Sequence, residues 1–315
     1  MPLGLKKIVS NTIQIMGINQ LVYTIFKKRY KPVILCYHRI SENTLRKQVD
    51  FLKQYFEFIP LYQMLESVYE GKKFTKPIIS ITLDDCYEDD LKTCIKVLGE
   101  EKIHCTCFLP LQYSIDNCGF WGERYRDLFK KITTTFVKDS KTTLHFNKSQ
   151  EKEKYEEELI RELGWDKNQT SFIENMVTEW YKLNNLKEEN VTKVVSIKTV
   201  EELAQNNLIS FQSHTYTHPK LYLSSDEEMH FELGQSKKYL ENLLGQSMNI
   251  FCYPYGANKI IGNSPQIVPD YYTYAVTLEK GNAYNKNKTL IPRVGIYEGD
   301  SKQTIFTKIT IQQFN

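Results

Sequence analysis

Short apolar runs alternate along this chain with longer stretches in which apolar positions return every three or four residues. This pattern predicts strands and helices in turn. The first strand is Pro32-Val33-Ile34-Leu35-Cys36-Tyr37, followed by helical spacing over Thr44 to Tyr55 and Pro60 to Glu70. The second, Pro77-Ile78-Ile79-Ser80-Ile81-Thr82-Leu83, runs directly into Asp84-Asp85. A helix over Asp89 to Glu101 leads to a third strand, His104 to Pro110. From about Phe120 to Ser196 the rhythm breaks into charged, helical text such as QEKEKYEEELIRELGW. That stretch reads as a helical insertion over one loop, of a kind barrels tolerate, and not as a separate domain. The rhythm resumes with a helix at Val200 to Asn206, a strand at Leu208 to Ser213 and a helix at Asp226 to Leu244. Strands follow at Met248 to Tyr253, near Tyr274-Ala275-Val276 and at Leu290-Ile291-Pro292-Arg293-Val294. The alternation is an α/β signature, and 315 residues suit a single α/β barrel.

Ahead of that barrel, taken as residues 32–315, lies a segment of different character over residues 1–31. Apolar side chains recur at Ile8, Ile13, Ile15, Met16, Ile18, Leu21, Val22, Ile25 and Phe26, with Lys6, Lys7, Lys27, Lys28 and Arg29 at the ends. A basic amphipathic helix of this kind lies on an anionic membrane surface or packs on its own domain, and the charge positions do not discriminate. No apolar h-region is followed by a small-residue cleavage site. No run reaches the roughly 20 apolar residues of a membrane span. The expectation is a cytoplasmic protein, with peripheral contact to the inner membrane face if the helix meets lipid.

Composition narrows the class. Hydrophobic residues at 41% and charged residues at 25% give a globular balance. A net charge of +3, from 41 basic and 38 acidic residues, is too even to argue for nucleic acid. Aromatic residues reach 13%, with 21 Tyr and 16 Phe. Tyrosine suits sugars, because its ring face covers C–H groups while its hydroxyl bonds outward; a low-G+C genome, which raises Tyr, Lys, Asn and Ile together, is the plainer explanation. The seven cysteines contain no CxxC pair, so a zinc ribbon or thioredoxin-type site is unsupported. Several stand in apolar runs as small buried hydrophobes, a usage that fits a reducing compartment.

Four segments carry candidate chemistry, each at the C-terminal end of a predicted strand, where a barrel gathers its site. Asp84 and Asp85 are adjacent carboxylates that point in opposite directions along a strand, so one can hold a metal while the other takes a proton. Alone, the pair reads as well as a solvated acidic turn. His214 and His218, in Ser213-His214-Thr215-Tyr216-Thr217-His218-Pro219, have a spacing that suits one metal ion. Two histidines and a carboxylate leave open coordination positions, as in catalytic sites. Tyr253-Pro254-Tyr255-Gly256 forces a tight turn whose amides can hold an oxyanion, although an ordinary turn would look the same. His38, after Cys36-Tyr37, is a candidate acid or base or a structural histidine.

Together these segments resemble the polysaccharide deacetylase family, carbohydrate esterase family four, which shares the nodulation-type (NodB) chitooligosaccharide deacetylase domain. Thr82-Leu83-Asp84-Asp85-Cys86 is similar to its Thr-Phe-Asp-Asp-Gly motif, and His214 to Pro219 matches its His-Ser/Thr-x-x-His-Pro motif in full. Tyr253 to Gly256 matches its Arg-x-Pro-Tyr-Gly motif in part. The similarity spans roughly Pro32 to Val294, weakest in the insertion. It implies a distorted, incomplete (β/α) barrel and a metal-dependent hydrolase that removes acetyl groups from N-acetylated sugars during glycan biosynthesis or modification. It implies Asp84 as general base, Asp85, His214 and His218 as ligands of a divalent metal, chiefly Zn²⁺, and the Tyr255 amide in the oxyanion hole.

Three departures stand out. Cys86 replaces the motif glycine, which puts the local turn in question and sets a thiol near the metal, open to oxidation. Cys252 stands where the family has an arginine that orients the base, a role for which Arg293 is the substitute. No histidine follows His230 to serve as the usual late general acid, and in members with permuted motifs an early Tyr-His supplies it, here Tyr37-His38. The expected partner is an N-acetylated glycan or a lipid-linked sugar. Two other readings stay open: a non-catalytic glycan-binding relative, and an O-deacetylase or deacylase acting on lipid-linked sugars.

Overall fold

The computed structural model describes residues 30–162, 170–189, 191–256 and 261–314. The amphipathic segment expected over residues 1–31 lies almost wholly outside them. Through the first half, β1 (Val33–Tyr37), α1 (Glu42–Leu52), β2 (Glu57–Phe58), α2 (Leu61–Tyr69), β3 (Ile78–Leu83), α3 (Glu88–Glu100) and β4 (Cys105–Leu109) alternate. Next come α4 (Leu111–Asp116), α5 (Trp121–Lys131), β5 (Thr135–Val137), β6 (Thr143–His145), α6 (Ser149–Glu162) and α7 (Thr170–Leu183). The alternation resumes with α8 (Ile197–Leu203), β7 (Ile209–Ser213), α9 (Asp226–Leu244), β8 (Ile250–Cys252), α10 (Ser264–Ile267), β9 (Tyr274–Val276), β10 (Val294–Ile296) and α11 (Lys302–Ile311).

The main sheet is parallel and runs β10-β1-β3-β4-β7-β8-β9, with β2 paired to the start of β3. It curls into an incomplete barrel with helices around it. A single bridge, Val276 to Ile291, links β9 to the segment leading into β10. The last strand starts at Val294, later than the sequence pattern suggests. Pro292 is the physical reason, because it has no N–H to give to a ladder. Among the described residues no helix is long and apolar enough to cross a membrane.

Strand parity sorts the core into two layers. Ile34, Phe108, Ile250 and Cys252 face the lumen, with Leu61, Met64 and Leu65 of α2 packed among them. Leu35, Cys105, Cys107 and Phe251 face the outer helices. The stretch between α4 and α8 builds a third cluster around Tyr125, Phe129, Phe136 and Trp180. It is not helical throughout: β5 and β6 pair as an antiparallel hairpin. Thr135-Phe136-Val137 and Thr143-Leu144-His145 are rich in the β-branched and aromatic residues that suit strands.

Candidate active site

Chain ends of β1, β3, β7 and β8 meet at the C-terminal mouth. Asp84 follows β3 and is 2% exposed. Its Oδ1 accepts from Arg293 Nη1 at 2.7 Å and its Oδ2 from Arg293 Nη2 at 2.6 Å, a two-pronged ion pair in the interior. Arg293 also donates to Thr82 Oγ1 at 2.9 Å and to the Thr277 carbonyl at 3.1 Å. Two thiols complete the cage. Cys36 Sγ stands 3.3 Å and Cys252 Sγ 3.5 Å from Asp84 Oδ2. Burial works against charge on Asp84, and the Arg293 guanidinium outweighs it, holding the carboxyl well below the usual carboxylate range. His38 Nε2 lies 3.5 Å from the same oxygen at the solvent edge.

Asp85 lies past the end of β3 at a φ of 64°, so its direction is set by this left-handed turn and not by strand alternation. Its Oδ1 is 3.6 Å from His214 Nε2 and 3.4 Å from His218 Nε2. These separations are long for hydrogen bonds but place three donor atoms around one point, all within 4.8 Å of each other. His214 Nδ1 lies 2.7 Å from the Cys252 carbonyl. A carbonyl accepts only, so Nδ1 carries the proton and Nε2 is left as a lone-pair donor facing Asp85. One carboxylate and two imidazoles in this arrangement fit a divalent metal such as Zn²⁺. Burial raises the cost of charge on Asp85, and the two imidazoles more than offset it, holding its carboxyl well below the usual range. Burial pushes the His218 pKa down, which favours the neutral, ligating form. Two further acid–thiol–imidazole groups form around Asp84, with Cys36 and His38 and with His214 and Cys252. The Arg293 guanidinium already occupies that carboxylate and repels a second cation.

Backbone strain is concentrated here. Of nine non-glycine residues with positive φ among those described, six belong to these loops: Arg39, Asp85, Cys86, Thr215, His218 and Tyr255. Each costs about 1–2 kcal/mol relative to ordinary backbone. Cys86, at φ 48°, explains the glycine of the motif it departs from. The left-handed turn is kept, with a cysteine bearing the strain. Its thiol is fully buried in the outer core and pushed up in pKa by burial, so it offers no thiolate for the oxidation expected from sequence. Gly256, at φ 63°, is required on two counts, since an added Cβ would lie 2.7 Å from the Leu278 nitrogen.

Sequence reasoning missed Glu232. It lies on α9, 6% exposed, and accepts from the amides of Tyr216 and Thr217, each at 2.8 Å, and from Thr217 Oγ1 at 2.6 Å. The loop between the two histidines is strained at Thr215 and His218, and Glu232 satisfies two amides that its shape leaves unpaired. No local signal marks this residue, because its partners lie 16 and 15 residues earlier in the chain, in a loop ahead of α9. Glu232→Ala is expected to weaken metal binding about 10- to 100-fold by loosening the His218 backbone. Metal titration checks this, and an unaltered affinity would remove Glu232 from the site. Cys36 was also missed, although the period of two puts it on the same strand face as His38. Phe120 and Tyr255 flank the His218 ring, each with its centroid 5.0 Å away.

The family model for polysaccharide deacetylase matches residues 71–263, more than half the chain. Among curated proteins none matches by sequence. Among solved structures, the Streptococcus pyogenes deacetylase PplD, in complex with acetate, superposes with a TM-score of 0.58 at 17% identity, over 89% of this chain and 98% of that one. IcaB from Ammonifex degensii gives 0.59 at 16% identity, over 90% and 98%. A de-N-acetylase from Aggregatibacter actinomycetemcomitans gives 0.55 at 13% identity, over 88% and 99%. At such identities the structures speak for the incomplete barrel fold, and the family match for the class of protein.

Proposed function

The chain belongs to the polysaccharide deacetylase family, and from that premise we propose that it hydrolyses the N-acetyl group of an N-acetylated sugar, in a glycan or a lipid-linked precursor, with a bound divalent metal. The observation that supports this reading is the convergence at one barrel mouth of Asp85, His214 and His218 beside the Asp84–Arg293 pair and His38. Asp85, His214 and His218 would hold the metal, which when bound supplies Lewis acidity toward a carbonyl oxygen and lowers the pKa of water.

The remaining chemistry falls to the chain's own groups. Asp84 Oδ2 takes the proton of the attacking water. Tied to Arg293, this carboxylate is a weak acceptor, so the proton passes on to His38 Nε2, which stands 3.5 Å away and closes to hydrogen-bonding distance with substrate bound. His38 then protonates the leaving amine. Arg293 orients Asp84 and keeps it ionised. The Tyr255 amide, in the strained turn before Gly256, donates to the oxyanion.

The test is acetate release from N-acetylhexosamine glycans and lipid-linked sugars, before and after chelation and with Zn²⁺ restored. The expected result is release that chelation stops and Zn²⁺ recovers. A metal-loaded protein that releases no acetate from any of them would sink the reading. Lipid-linked sugars belong in the panel because residues 1–31 have the pattern of a basic amphipathic helix. In the same assay His38→Ala is expected to slow amide cleavage more than cleavage of an activated acetyl ester, whose leaving group needs less protonation. Equal losses on both would rule out the acid role, and release from esters alone would favour an O-deacetylase.

A further inference from the structure

At the opposite end of the barrel, where the strands begin, lies a second cavity of about 570 Å³. That volume is in the range of small-molecule sites. Its walls include Thr106 of β4, Ser210 and Gln212 of β7, the start of β8 at Asn249 and Ile250, and Tyr274 of β9, with Tyr62 of α2 beside them. The strand period of two ties the two ends together. Ser210, Gln212 and His214 share one face of β7, so the wall that carries an imidazole at the top carries a hydroxyl and an amide below. At roughly 3.3 Å per residue, Ser210 and His214 are about 13 Å apart. Phe108 lies beneath Arg293, its ring 5.3 Å from the guanidinium, and packs with Ile34 and Cys252 as an apolar layer in the lumen.

The chemistry of this lower cavity differs from that of the cleft. Among the described residues no Lys or Arg lines it, and the one carboxylate there, Glu66, is exposed. Burial pushes the His104 pKa down to about 4, so the ring is neutral at physiological pH, and its Nδ1 is buried without a hydrogen-bond partner. Asn206 Oδ1 accepts from the Leu208 amide and Gln212 Oε1 from the Ile250 amide, leaving each NH₂ group to donate. Tyr62 sets its ring edge-on to His104, and Tyr274 stacks on Tyr69. Amide donors and acceptors pair with hydroxyl groups, and tyrosine rings cover C–H faces. A lining without a cation among the described residues disfavours phosphates and carboxylates, since Lys288 reaches only the Tyr274 ring, its Nζ 5.9 Å from the centroid, and the polar lining disfavours lipid.

We propose that this cavity is a second, non-catalytic binding site for an uncharged saccharide residue. The inference stands apart from the reaction proposed for the cleft, because no residue is shared between them. It is tested on the full chain by NMR titration with glucose and N-acetylglucosamine, and with glucose 6-phosphate for comparison. Two variants accompany the parent: Asn207→Ala with Asn249→Ala in the lower cavity, and His218→Ala in the cleft. Asn207 and Asn249 are exposed, so their replacement leaves the fold intact, which thermal melting verifies. The expected result is saturable binding of a neutral sugar that survives His218→Ala and weakens roughly tenfold in the double variant, from two lost hydrogen bonds. Binding that the double variant leaves unchanged, binding lost with His218→Ala, or no saturable binding of either neutral sugar would overturn it. Tighter binding of glucose 6-phosphate than of glucose would overturn the uncharged class.

Discussion

An Asp84→Asn protein is expected to bind its metal as the parent does and to release acetate roughly 10²- to 10⁴-fold more slowly, the usual contribution of a positioned general base. The substitution keeps size and shape but replaces the carboxylate that faces His38 across 3.5 Å. Asp85, His214 and His218 are untouched, and the His214 tautomer is set by the Cys252 carbonyl, not by Asp84. Metal content and turnover should therefore separate. The variant also leaves the buried Arg293 guanidinium without its counter-charge, so turnover must be measured well below the melting temperature, on folded protein. Parent-level acetate release would refute the base role. Loss of metal in step with activity would instead make Asp84 part of the metal site.

Arg293→Met should be the most damaging single change to stability, at about 3–5 kcal/mol, because it leaves a buried carboxylate unpaired. Arg293 is 1% exposed and Asp84 2%, so water cannot take over the lost partner. The effect has a defined pH dependence. In the parent, the Asp84 carboxyl is held below its unfolded value of about 3.9. It thus contributes stability that is present above the unfolded value and is lost as pH falls through the folded one. In the variant the unpaired carboxyl is raised instead, and protonation relieves the buried charge. The stability gap between parent and variant should be widest near pH 7 and should narrow as pH falls toward about 4. Urea melts at several pH values measure it. A gap that stays constant with pH would show that Arg293 acts through packing alone. Arg293→Lys is expected to fall between the two, since an ammonium keeps the charge but not the two-pronged geometry.

Much of the architecture was legible in the chain. The strands near Ile34, Ile81, Phe108 and Phe211 fall within a residue or two of their expected bounds, because the first three are dense apolar runs and the fourth alternates apolar and polar residues. The helix over Asp226–Leu244 matches its expected ends. Ser225 caps it with Glu228 in a reciprocal box, and Gly245 closes it at positive φ, both local signals. The hairpin of β5 and β6 was not legible, because three-residue strands in charged text leave too short a period to read. The start of β10 was misjudged because apolar character outweighed what Pro292 does to a ladder.

The candidate site divides in the same way. Residue type, spacing and strand ends are local properties, and they brought Asp84, Asp85, His214 and His218 to attention on the sequence alone. By itself the sequence also determined which face each strand residue takes, since a period of two needs no partner. What only the tertiary structure decided is which of those faces meet. Arg293 grips Asp84 across 209 positions of chain. Cys36 and Cys252 close on one carboxylate oxygen, and Glu232 secures the histidine loop from a neighbouring helix. The cavity at the lower end arises only where the starts of β4, β7, β8 and β9 come together beside α2. Such contacts depend on the curl of the sheet and on how far its ends approach. Both are set by the summed packing of two core layers, which no short stretch of sequence contains.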